Sequence, residues 1–147
     1  MKHVKNLKIV ITAGASGIGS EIAMILSQAD AKVIICDKDQ EVLDQFSKNN
    51  PEIITLKADV SREEEVASFF NEIKDHFGEI NALINNAGIA GPSAKLEDTN
   101  FNDWKNTLSV NLNGTFLITK SAIPLLRSAG GGSIINIGST SSFMGTP

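Results

Sequence analysis

Three glycines fall within six positions in the stretch Thr12-Ala13-Gly14-Ala15-Ser16-Gly17-Ile18-Gly19. Leu7-Lys8-Ile9-Val10-Ile11 before it reads as a short buried strand. After it, Ile18, Ile22, Ile25, Leu26 and Ala29 fall on one face of a helix. A strand-to-helix turn of this composition can seat a phosphate or pyrophosphate. Glycine lets a ligand approach the backbone closely. A helix N-terminus offers unpaired N–H groups and a partial positive charge. The glycines run G-x-x-G-x-G rather than the common G-x-G-x-x-G. Such a turn also serves as a plain tight joint between strand and helix, so the rest of the chain has to decide.

Carboxylates and amides follow at suggestive positions. Asp37 comes 18 residues after Gly19, close to the spacing of an acid that binds a ribose. A carboxylate there accepts from both ribose hydroxyls and repels a 2′-phosphate, which favours NAD over NADP. The adjacent Lys38 softens that preference, and the competing reading is a helix-capping Asp. Asp59 is equally a loop residue or an acceptor for an adenine amino group, with Val60 giving apolar contact. Asn85 and Asn86 can brace neighbouring loops, while Ala87 and Gly88 leave room for a flat ligand. They can also form a simple turn. Asn111 is a poor helix former inside a helical stretch. With Gly114 after it, it marks either a kink facing something or an ordinary surface Asn. Cys36 reads as a buried strand residue without a partner that would make it reactive. His3 and His76 lack metal-ligand spacing and read as surface residues, so no metal is expected.

Five strands alternate with helices to position these groups. The further strands are Ala31–Cys36, Ile53–Leu56, Ile80–Ile84 and Ser133–Ile137. Asp39 caps a helix carrying Val42, Leu43 and Phe46, and Asn49-Asn50-Pro51 stops it. Ser61 and Glu64 have the spacing of a capping box. The helix behind them carries a stripe of Val66, Phe69, Phe70, Ile73 and Phe77 and ends at Gly78. A long helix is expected over about Asn102–Ala129, bent at Pro124. This alternation predicts an α/β fold: a doubly wound parallel sheet, order 3-2-1-4-5, with helices on both faces. Ligands of such sheets lie beyond the carboxyl ends of the strands, where strand order reverses. Thr12–Gly19, Asp37, Asp59–Val60, Asn85–Gly88 and Gly138–Ser142 all occupy such ends.

Composition narrows the class. The 147 residues carry a net charge of −4 and no basic tract, which argues against a nucleic-acid or anionic-membrane partner. No apolar run reaches the length of a membrane span or of a signal sequence. A single cysteine gives no disulfide framework and fits a reducing cytoplasm. The length suits one domain over 1–147.

The chain resembles the short-chain dehydrogenases/reductases along all 147 residues. The family's T-G-x-x-x-G-x-G pattern is met by Thr12, Gly17 and Gly19, with Ala13 in place of the first glycine. Asn85-Asn86-Ala87-Gly88 matches its N-N-A-G motif, and Asp59-Val60 is similar to its adenine-contacting pair. Asn111-Leu112-Asn113-Gly114 is similar to the segment bearing its catalytic Asn. Ser133-Ile134-Ile135-Asn136-Ile137-Gly138-Ser139 is similar to the strand whose tip bears its catalytic Ser.

The resemblance implies hydride transfer between a nicotinamide and an alcohol or carbonyl of a small substrate, such as a 3-oxoacyl compound, a sugar or another secondary alcohol. NAD is the expected cofactor, bound by Thr12, Gly14, Ser16, Gly17, Ile18, Gly19, Asp37, Asp59, Val60, Asn86, Ala87 and Gly88. Ser139 would hydrogen-bond the substrate oxygen, with Ser141 and Ser142 as weaker substitutes. Asn111 would hold a water in a proton relay. The family's general acid/base is a Tyr with a nearby Lys, and this sequence contains no Tyr. The resemblance therefore implies the N-terminal part of a longer enzyme, inactive by itself and forming a dimer or tetramer when whole. A non-catalytic dinucleotide-binding module and an inactive fragment remain the alternatives.

Overall fold

The computed structural model describes residues 3–140. Strand β1 (Lys8–Thr12) leads into helix α1 (Gly17–Gln28), then β2 (Lys32–Asp37), α2 (Gln40–Asn49), β3 (Ile54–Lys57), α3 (Glu63–Phe77) and β4 (Ala82–Asn85). A short 3-10 turn (Leu96–Asp98) precedes α4 (Phe101–Leu108), a π-helical stretch (Ser109–Gly114), α5 (Thr115–Ser128) and β5 (Ser133–Asn136). The five strands are parallel in the order β3-β2-β1-β4-β5. The chain therefore crosses from one side of β1 to the other between β3 and β4, which puts the topological switch between β1 and β4.

Two apolar layers flank the sheet because successive strand residues point to opposite faces. Val10, Ile34, Cys36 and Leu83 face α3 and α5, meeting Phe69, Ile73, Ile118 and Ala122. Ile9, Ile11, Val33, Ile35 and Ile84 face α1 and α2, meeting Ala23, Leu43 and Phe46. A strand buried on both faces needs this continuous β-branched run rather than alternation.

Several expectations are met and several are corrected. Asp39 caps α2, its Oδ1 accepting from the N–H groups of Glu41 (3.0 Å) and Val42 (3.3 Å). The Val66, Phe69, Phe70 and Ile73 stripe is buried as expected. The Ser61–Glu64 capping box does not form. Arg62 is the N-cap residue of α3, and the Ser61 hydroxyl donates instead to Asp59 Oδ1 at 2.7 Å. That carboxylate also accepts from the Ser61 N–H (2.9 Å), so a local turn outcompetes the cap. Glu65 rather than Glu64 reaches back, accepting from the Asp59 N–H at 2.9 Å.

Ile18 and Ile25 were expected on the buried face of α1, yet they are 64% and 46% exposed. The small residues Gly19 and Ala23 form that face instead, because they let the helix sit close on the sheet. The long helix expected over Asn102–Ala129 is broken at Leu108, where the π-helical stretch begins. Its first turn is capped by Asn100, whose Oδ1 accepts from the Asn102 N–H at 2.8 Å.

Candidate functional site

The turn between β1 and α1 divides into an outward part and an inward part. Ser16, Gly17 and Ile18 are exposed, while Gly14, Ala15 and Gly19 are buried. Gly17 adopts φ +54°, a left-handed conformation that glycine enters without steric cost. Ser16 is extended at the N-cap of α1, and its hydroxyl does not bond the first helical N–H groups. No carboxylate lies in the first turn. The positive end of α1 is thus left open to an anion.

The inward residues hold the turn. Gly14 donates its N–H to the Cys36 carbonyl (3.0 Å), and a Cβ on it would run into the Ile35 side chain. Thr12 is 1% exposed. Its Oγ1 accepts from the backbone N–H groups of both Asn86 and Ala87, each at 3.0 Å. The Asn86 amide answers by donating to the carbonyls of Thr12 (3.1 Å) and Ala13 (3.0 Å). The tips of β1 and β4 are therefore locked across the switch point. Thr12 does this work from the interior.

Beyond the strand ends lies a cleft of about 100 Å³. Asp37, Asp59, Val60, Ala87 and Gly88 all line it, as the sequence leads one to expect. Ala13, Lys38, Ala58, Ile89 and Val110 complete it. Asp37 is half-buried, and its Oδ1 accepts from the Asp39 N–H at 3.2 Å. Asp59 turns Oδ1 toward Ser61, so its second oxygen remains for another donor. Val60 is packed from behind by Gly114, where a Cβ would come within 2.8 Å of Val60 Cγ2.

Asn111 sits within the π-helical stretch, so the kink reading of this residue holds. Its Oδ1 accepts from the Ile89 N–H (2.9 Å) and its Nδ2 donates to the Ile89 carbonyl (3.0 Å). The amide thereby mimics a strand partner and fixes Ile89 against the cleft. Ser139 is exposed, three residues past Asn136 at the end of β5, and does not line the cleft. Ser141 and Ser142 lie outside the described residues. Nothing in residue spacing foretold the double acceptor role of Thr12; the Asn-in-helix signal marked Asn111 without naming Ile89 as its partner.

Asn85 is 5% exposed and braces β5. Its Nδ2 donates to Asn136 Oδ1 (2.8 Å) and to Thr119 Oγ1 (3.0 Å). Cys36 lies fully buried beneath the cleft, and loss of hydration pushes its thiol pKa from 9.0 up to about 12. Above pH 9 the unfolded thiol ionises first, which favours the unfolded state. The contribution of this thiol to stability is therefore constant below about pH 9 and falls between 9 and 12, by about 1.4 kcal/mol per pH unit. Urea unfolding across that range checks the slope, and Cys36→Ala is expected to remove this component of it.

Comparison with known proteins places this geometry in context. A family model described as short chain dehydrogenase matches residues 7–147. L-fucose dehydrogenase from Bos taurus is 36% identical over 131 residues, covering 89% of this chain and 48% of that protein. An uncharacterised oxidoreductase of Bacillus subtilis is 39% identical over 145 residues, covering 96% and 53%. The chain thus spans about half the length of these curated relatives. Among solved structures, NAD+-bound xylitol dehydrogenase superposes with a TM-score of 0.92 at 25% identity, covering 99% of this chain and 58% of that one. Levodione reductase gives 0.91 at 29% identity, covering 98% and 58%.

Proposed function

The chain belongs to the short chain dehydrogenase family, and from that premise we propose that it binds NAD in preference to NADP and serves hydride transfer on a small alcohol or carbonyl substrate. One observation carries this reading. The open N-terminus of α1, the Asp37 carboxylate and the Asp59–Val60 pair converge beyond the carboxyl ends of adjacent strands, beside the β1–β4 switch.

When bound, the nicotinamide supplies the hydride acceptor or donor. The exposed turn at Ser16, Gly17 and Ile18 receives the pyrophosphate on first-turn N–H groups. Asp37 accepts from the ribose hydroxyls through the oxygen that Asp39 leaves open. Asp59 and Val60 offer an acceptor and an apolar surface to the adenine. Asn86, Thr12 and Gly19 act as positioning residues, since each holds the β1–α1 turn in place. Asn111 acts through Ile89. Each end of its amide makes one bond there, and the remaining lone pair and N–H are left for the water of a proton relay. Ser139 is the group in the described residues assigned to the substrate oxygen, from its place at the tip of β5.

Phe101, Trp104, Leu108, Leu112 and Phe116 are exposed along α4, the π-helical stretch and α5. An apolar stripe of this size supports a homo-oligomer. Among the described residues no helix is long and apolar enough to cross a membrane. The single cysteine supports a cytoplasmic location. We read 1–147 as one dinucleotide-binding unit.

Binding and turnover are tested separately, because the chain spans about half of its relatives. Titration with NADH and NADPH is expected to show tighter NADH binding. Asp37→Ala is expected to weaken NADH about tenfold while leaving NADPH nearly unchanged or tighter, since it removes both an acceptor and a repulsive charge. Equal losses for both cofactors would remove Asp37 from the ribose site.

A further inference from the structure

Ala13 occupies the position where the family pattern has its first glycine, and it is held at φ +49°. Alanine enters that region only at a steric cost. Its neighbours fix it there from several sides. Its carbonyl accepts from Asn86 Nδ2 at 3.0 Å. That same carbonyl also lies against Gly19, where any Cβ would collide with it. Its methyl group is its one side-chain atom, and so the bulk a glycine here would lack. Ala13 is only half-buried, and it lines the cleft together with Asp37 and Lys38.

We infer that the Ala13 methyl group is a specificity-determining feature of this cleft, limiting how closely an adenosine ribose settles beside Asp37. This rests on the dinucleotide reading above. A glycine at this position would leave backbone alone beneath the ribose. The methyl raises the floor by the thickness of one carbon, which lengthens the hydrogen bonds from the ribose hydroxyls to the Asp37 carboxylate. Strain persisting at a ligand site, held in place by surrounding contacts, is the pattern expected of a functional position.

Two substitutions separate bulk from strain. Ala13→Gly removes both the methyl and the strain. Ala13→Asn relieves part of the strain, because Asn tolerates left-handed φ, while adding volume. Thermal stability is expected to rank Gly highest, then Asn, then Ala, with Gly about 3 °C above Ala. Affinity for NADH and for ADP-ribose is expected to rank differently: Gly highest, then Ala, then Asn. The step from Ala to Gly is expected to be about tenfold, the scale of one methylene in a fitted pocket. The inference is overturned if affinity follows the stability ranking, or if Ala13→Gly binds NADH as the unsubstituted chain does. If neither the unsubstituted chain nor Ala13→Gly binds NADH or ADP-ribose while both melt cooperatively, the dinucleotide reading itself fails and this inference with it. Binding that is present but insensitive to residue 13 defeats the inference alone.

Discussion

Gly19→Ala is expected to cost about 3 kcal/mol or more of stability and to weaken NADH binding at least about 100-fold. An added Cβ would strike the Ala13 carbonyl oxygen, reach within 2.6 Å of Asn86 Nδ2 and touch Gly14 Cα at 3.0 Å. Two of these three neighbours are backbone of the turn itself, so a side-chain rotation cannot make room. The helix must withdraw from β1, and its N-terminus then leaves the place where the pyrophosphate is received. Gly17→Ala is the control. Nothing lies within 4 Å of its added Cβ, so only the strain of φ +54° remains, worth about 1 kcal/mol. Circular-dichroism melts and NADH titration of both variants measure the difference. Equal, small effects would show that the close approach at Gly19 does not matter.

Thr12→Val is the second large effect. The two side chains have nearly the same shape, so the substitution changes chemistry more than packing. It strips the acceptor from the backbone N–H groups of Asn86 and Ala87, at a site where Thr12 is 1% exposed. Each N–H left without a partner costs about 1–3 kcal/mol, giving about 2–6 kcal/mol for the pair. Thr12→Ser keeps the oxygen and loses a methyl group, for about 1 kcal/mol. Urea unfolding is expected to rank the native chain above Ser, and Ser well above Val. Hydrogen exchange sharpens the test, since faster exchange in Thr12→Val should start at Asn86 and Ala87. A Val variant as stable as native would mean that water replaces the lost acceptor. The two sites share the Asn86 amide, so combining Thr12→Val with Gly19→Ala should cost less than the sum.

Both predictions fall on residues that hold other residues. The groups assigned to the cofactor, the buried Val60 apart, are exposed or half-buried, and their placement depends on the lock between β1 and β4. This arrangement separates stability from recognition. Asp37→Ala is expected to change which cofactor binds, whereas Thr12→Val is expected to change whether the site exists.

Much of this was legible in the amino-acid order. Parallel strands buried on both faces need uninterrupted apolar runs, and those of β1, β2 and β4 are visible before any coordinate is known; β5 carries a similar run and yet is exposed along its length. Asp39 announced its helix because a cap bonds N–H groups two and three residues along the chain, a purely local matter. Asp37, Asp59, Ala87 and Gly88 could be placed at one rim because strand ends are local and the order of parallel strands is restricted.

What tertiary structure decided is which of several locally reasonable partners each group takes. Ser61 has the spacing of a cap, yet its hydroxyl meets the Asp59 carboxylate first. Ile18 and Ile25 have the spacing of a core face, yet close approach at Gly19 and Ala23 rotates α1 so that they stay outside. Thr12 reads as the opening residue of a cofactor-binding turn, and only the fold shows that Asn86 and Ala87, just past β4, bring it two N–H donors. Ala13 reads as a small substitution until Asn86 and Gly19 are seen packed against its carbonyl and its φ is seen to be positive. Periodicity and spacing register neighbours along the chain, whereas hydrogen bonds and excluded volume at this site are settled by neighbours across the sheet.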